Sequence, residues 1–180
     1  PRGAELSLSI AAVRHNTAIE PRGPFVAPGR YTLRLSADGL VQEKTIDVRM
    51  DPRVKASTDD LRLQSDYSIR CYRAYEALQG IREQIDQALG DPAFPWKSGQ
   101  KEQWQGLRGS GLPGYGDILY GSIREQALER ETIVGLQDKF LYLISLLQSA
   151  DARPTGQLMK SVSLLEKRQQ EMLGRWNGMK

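Results

Sequence analysis

Residues 26–39 read VAPGRYTLRLSADG, and the period of that stretch decides how the first third of the chain folds. Tyr31, Leu33 and Leu35 alternate with Thr32, Arg34 and Ser36, the period of two that a half-buried strand requires. Asp38-Gly39 ends the run with a pair that accepts positive φ, a strong hairpin signal. The alternation resumes beyond the turn, where Ile46, Val48 and Met50 alternate with Thr45, Asp47 and Arg49. A hairpin is therefore predicted across this region.

Toward the N-terminus, ELSLSI at 5–10 repeats the pattern, with Leu6, Leu8 and Ile10 on one face and Ser7 and Ser9 on the other. The stretch between, TAIEPRGPFVAPG, carries three prolines and reads as a loop or edge crossing. Residues 1–52 thus form a short antiparallel β element. Three strands fall short of the roughly seven in an immunoglobulin-like sandwich. Either they cover a helical face, or residues beyond this chain complete their sheet. The chain opens on Pro1 rather than Met, and its natural start is expected upstream.

Toward the C-terminus the period changes. Pro52 stops the last strand, and Ser57 followed by Asp60 reads as a helix N-cap with acid in the first turn. Tyr67, Cys71, Ala74 and Tyr75, Leu78, Ile81, Ile85 and Leu89 then recur at steps of three and four, which predicts a helix over 57–90, roughly 50 Å long. Residues 91–117 form a Gly/Pro/Trp-rich connection with room for a helical turn at 100–107. A second helix is predicted over 117–150 from Tyr120, Ile123, Ala127, Val134, Leu141, Ile144 and Leu147. A third is predicted over 155–177 from Leu158, Val162, Leu165, Met172 and Trp176, with Pro154 at its start. The fold class is α+β and mostly α: the β element at 1–52, then a long antiparallel three-helix bundle at 53–180.

Composition limits function. With 39% hydrophobic and 26% charged residues in 180, the chain has the make-up of a globular domain. No apolar run approaches a membrane span. The net charge of +3 is too small to imply nucleic acid unless it clusters. Lys160, Lys167, Arg168 and Arg175 form a stripe on the third helix, but Glu166 and Glu171 dilute it, and it reads as a solvated face. Cys71, the only cysteine, lies in the apolar pattern and reads as a packed small hydrophobe. His15, the only histidine, lacks partners for a triad or a zinc site. The acidic pairs Asp59-Asp60, Glu83 with Asp86, and Glu129 with Glu131 fall where capping and solvation explain them. RGSGLPGYG at 108–116 has neither the preceding strand nor the following GK[ST] of a phosphate-binding loop. No pattern assigns a catalytic residue, a cofactor or a metal.

Two sets of residues stand out as candidate surfaces. Trp96, Trp104 and Tyr115 in the connection either pack back on the bundle or offer a contact surface. The first predicted helix outreaches the third, which is nearer 33 Å. Leu78, Ile81 and Ile85 on one helix and Leu141, Ile144 and Leu147 on another are then left without cover. A second copy across a two-fold axis is the expected cover, with the connection or the β element folding back as the competitor.

The string GPFVAPGRYTLRLSADGLVQEKTIDVRMDPRV, followed by STDDLRLQSDY, resembles a C-terminal segment of bacterial exported β-propeller proteins. These are the BNR-repeat, sialidase-like or sortilin-like proteins often labelled putative glycosyl hydrolases. The closing stretch, with Pro154-Thr155 and Trp176-Asn177, looks like their last helix. Gln42, Lys44 and Asp47 depart from the usual wording of the second hairpin strand, and the Asp-box repeats of the propeller itself are absent. The resemblance implies that the hairpin ends an immunoglobulin-like module, that the protein is exported, and that any glycosidase site lies elsewhere in the parent.

Three readings of function stay open at this point. One is a non-catalytic accessory region that contacts protein, either itself or the parent propeller. Another is a small ligand-binding or enzymatic domain with its site in 91–117. The third is a weak binder of nucleic acid or anionic surfaces through the third helix.

Overall fold

A computed structural model describes residues 23–109 and 131–179. In these residues the chain forms a two-stranded antiparallel sheet and four helices: β1 (Gly29–Ala37), β2 (Leu40–Val48), α1 (Thr58–Gly90), α2 (Gln100–Arg108), α3 (Ile133–Leu147) and α4 (Gly156–Asn177). The fold is α+β and mostly α, as the change of period implies. The ELSLSI run, Tyr115, and the predicted stripe residues Tyr120, Ile123 and Ala127 lie outside the described residues.

The hairpin turns at Asp38 and Gly39, with φ of 49° and 78°. Two successive left-handed residues match the right-handed twist of the strands. The register pairs Ala37 with Leu40 and Gly29 with Val48. Beyond the sheet, DPR forms a small closed turn: the Asp51 carboxylate accepts from the Arg53 backbone N–H at 2.9 Å and from its guanidinium at 2.6 Å. Ser57 then caps α1, its hydroxyl accepting from the Asp60 N–H at 3.1 Å.

The bundle directions follow from side-chain bonds. Gln64, near the start of α1, donates to the carbonyls of Leu147 and Ala150 at the end of α3. Gln137, early in α3, donates to Gln79 Oε1 further along α1. These two helices are antiparallel. Arg153, Glu166 and Gln169 meet Asp60, Arg70 and Ala74 in that order, so α4 runs parallel to α1. The apolar stripes meet along this axis, where Leu78, Ile85, Leu136, Phe140 and Val162 are fully buried.

Three expectations are corrected. The second predicted helix does not run unbroken from 117 to 150. Residues 131 and 132 are non-helical, and Thr132 caps a fresh start by accepting from the Gly135 N–H at 3.1 Å. Its buried stripe is Ile133, Leu136, Phe140, Leu143 and Leu147, leaving Leu141 and Ile144 only partly buried. Pro154 is buried one residue ahead of the α4 cap, Thr155, instead of opening the helix.

The third correction concerns cover. At 15 residues α3 is about 22 Å long, less than half of the 33-residue α1. The far end of α1 is covered by α2, whose Trp104 and Leu107 join Ile81, Ile85 and Ala88 in one apolar cluster. Leu78, Ile81, Ile85 and Leu147 are therefore core residues, between 0% and 5% exposed. They form no open self-association patch: α3 packs along Leu78, Leu147 lies beside the start of α1, and the tryptophan-bearing connection folds back over Ile81 and Ile85.

Two sites anchor that return. Arg108 bonds the Asp86 carboxylate of α1. Gly109, at φ 80°, passes so close to Thr132 that an added Cβ would sit 2.5 Å from its Oγ1.

Candidate contact surfaces

An aromatic cap closes one end of the bundle. Asp91 ends α1, and its carboxylate accepts from the Ala93 N–H at 2.8 Å, which turns the chain. The Gln100 amide oxygen accepts from the Lys97 N–H at 3.1 Å and aims α2 back across the bundle. Phe94 and Trp96 then stand with ring centroids 4.4 Å apart. Trp96 meets Trp104 edge-on at 5.4 Å, and Trp104 reaches Trp176 of α4 at 4.7 Å. Such tilted pairs suit the ring quadrupoles.

The cap is chiefly packing. Trp104 and Trp176 are buried, while Trp96 is half-buried. Beside it an open groove of about 510 Å³ is lined by Gln84, Gln87, Asp91, Phe94, Trp104 and Trp176 among others. The Trp104 indole N–H is buried and has no hydrogen-bond partner. The sequence singled out Trp96 and Trp104 and placed Trp176 on the apolar stripe of the third helix, but it did not bring them together and gave Phe94 no role.

The hairpin is the second surface, and its two faces differ sharply. On one, Arg30 pairs with Asp47 at 2.9 Å and Arg34 with Glu43 at 2.6 Å, each directly across the ladder, with Thr32 opposite Thr45. On the other face stand Tyr31, Leu33, Leu35, Ala37, Leu40, Gln42, Lys44, Ile46 and Val48. Only the base of this face is sheltered. Leu33, Leu35 and Leu40 are 54%, 66% and 73% exposed. Among the described residues the strands cover no helical face, for no hairpin residue belongs to the buried core. Near the base, the Phe25 N–H donates to Gln148 Oε1 at 3.2 Å, and Ser65 Oγ donates to the Phe25 carbonyl at 3.0 Å. The hairpin is moored at the end of the bundle opposite the aromatic cap.

The basic residues of α4 are partly engaged. Glu131 accepts from Arg168 at 2.8 Å and from Lys139 at 3.3 Å, and Arg175 reaches the Glu131 carbonyl. Burial pushes the Glu131 carboxyl upward, but the two cations outweigh it and hold the group below its ordinary range. Lys160 and Lys167 are exposed. Cys71 is fully buried, and burial pushes its thiol up to about 12. Asp138 is raised by burial, opposed by the charge of Arg82, and its Oδ2 has no hydrogen-bond partner.

Among the described residues no three His, Cys, Asp or Glu side chains gather as metal ligands, and no helix is long and apolar enough to cross a membrane. No family model matches the chain, and neither a curated protein nor a solved structure matches it. The likeness to exported propeller proteins rests on the residues quoted for it alone.

Proposed function

We propose that this chain is a non-catalytic accessory region of an exported β-propeller protein, and that it works by contacting protein through its hairpin. One observation carries the reading: a hairpin with an ion-paired outer face and a bare apolar inner face, projecting from a helical core that covers its own stripes. An isolated two-stranded sheet is marginal in water, so a face of this kind calls for a covering layer. The resemblance at residues 23–66 and 153–179 supplies the propeller, the export and the immunoglobulin-like module to which the hairpin belongs.

The test compares the two faces. Leu35→Cys and Ser36→Cys are introduced separately into the protein as its host exports it. A thiol reagent should label Leu35→Cys at least tenfold more slowly than Ser36→Cys. Equal rates, both there and in the purified chain, would remove the reading.

The groove beside the aromatic cap supports a second reading, a small-ligand site, through the unpartnered Trp104 N–H. Replacing Trp96 or Trp104 discriminates: lost ligand binding at unchanged melting favours a site, and lost stability favours packing.

A further inference from the structure

We propose that the hairpin takes up an extended strand of a partner protein along the outer edge of β1, and that this strand carries acidic residues opposite Arg30 and Arg34 with apolar residues between them. This rests on the reading of the hairpin as a contact surface, and it names the mode of contact and the chemistry of the partner.

The backbone sets the edge. Among the described residues the sheet has two strands, so the outer edge of each is unpaired. A two-residue turn closes on a hydrogen-bonded pair, here Ala37 with Leu40, and such pairs recur at every second position. The N–H and C=O groups of Arg30, Thr32, Arg34 and Ser36 therefore point away from β2. A row of unmet donors and acceptors of this kind is a template for strand addition.

The side chains set the partner's pattern. Arg30 and Arg34 bond Asp47 and Glu43 through Nε, and among the described residues their terminal nitrogens have no further hydrogen bond. A guanidinium fork can serve a second carboxylate on its far side. A strand that repeats the spacing of Asp47, Thr45 and Glu43 along the other edge of β1 sets carboxylates opposite both arginines. Its intervening residues then fall beside Tyr31, Leu33 and Leu35 and widen the apolar face. The β1 edge is the better seat of the two. Exposed Phe25 and Val26 extend the apolar surface just ahead of it, whereas β2 runs into the closed turn of Asp51 and Arg53.

A second copy does not fit either edge. Two-fold pairing of β1 with its copy sets arginines beside arginines, and two-fold pairing of β2 sets carboxylates beside carboxylates. Pairing β1 with the copy's β2 matches the charges but spaces the copies only two strands, about 10 Å, apart. The packed helices at the base of every hairpin are each about 10–12 Å across, and those of neighbouring copies would collide.

The experiment titrates a fluorescein-labelled peptide, TVEVTVEVT, into the full 180-residue chain and compares it with TVKVTVKVT. The acidic peptide is expected to bind at least tenfold more tightly. At saturation it should slow amide exchange at Arg30, Thr32, Arg34 and Ser36 at least tenfold and leave Val41, Glu43, Thr45 and Asp47 unchanged. Thr32→Pro removes one outward N–H from β1 and should lose the peptide, while Thr45→Pro does the same to β2 and should keep it. Equal affinity for the two peptides, protection along β2 instead, or slow exchange at the β1 amides before any peptide is added overturns the proposal. Failure of the acidic peptide to bind at millimolar concentration, with Leu35→Cys still protected in the exported protein, overturns it and leaves the contact reading standing. Equal labelling of Leu35→Cys and Ser36→Cys, there and in the purified chain, removes the two together.

Discussion

The Trp104 ring packs against Trp176 at 4.7 Å between centroids, and this contact joins α2 to the last turn of α4 where α3 does not reach. A nine-residue helix is thereby made part of the core. Removing either ring should cost about 3–5 kcal/mol, the usual range for a buried tryptophan cut to alanine. Urea unfolding of Trp176→Ala, followed by far-ultraviolet dichroism, measures it. A loss below about 1 kcal/mol would mean that the cap is not part of the cooperative core.

Two carboxylates of the α3 region should respond oppositely to pH. The Asp138 group is raised in the folded state, so its ionised form costs stability above the folded value, and the cost is relieved as pH falls. Asp138→Asn should therefore melt higher than the parent chain at pH 7, with the gap closing toward pH 3. The Glu131 group is lowered, so its contribution is present above the unfolded value and is lost as pH falls through the folded one. Glu131→Gln should melt lower at pH 7 and match the parent in acid. Calorimetric scans of the three chains between pH 3 and 7 check both signs.

Gly39 tests the independence of the hairpin. Its φ of 78° costs an L-residue about 1–2 kcal/mol, more when the side chain is β-branched. Gly39→Val should speed amide exchange throughout β1 and β2. The melting of the bundle should stay within about 1 °C, because no core residue belongs to the hairpin. A matching fall in both would show that the two parts unfold together.

Cys71 should ignore thiol reagents in the native protein and react only through unfolding, since it is fully buried with a raised pKa. Its labelling rate should track denaturant concentration along the unfolding curve. Rapid labelling in plain buffer at pH 8 would contradict the packing around it.

The hairpin was legible because its signals are local: alternation sets the faces, and Asp38-Gly39 sets the turn. The start of α1 was legible for the same reason, since Ser57 caps from within the next turn, whereas Pro154 drew attention from Thr155, the residue that caps α4. The start of α3 was hidden because Ala127 and Val134 are spaced by seven, which carries a helical period across the break. The run FLYLISLL has apolar residues on every side, so its phase is fixed only by the neighbouring α1. Phe140 and Leu143 were chosen for the core by that contact, not by spacing. Cover was the least legible property. Alternation tells which side of a strand is apolar and is silent on what lies across from it, and so the exposure of Leu35 was missed.

Gly109 and Thr132 stand against each other, so the end of α2 and the cap of α3 share one small space. A side chain at 109 would meet the Thr132 hydroxyl and methyl and would sit at a φ of 80°. The fit is therefore a keyhole: two helices far apart in sequence are held at a fixed spacing by the absence of a single methyl group.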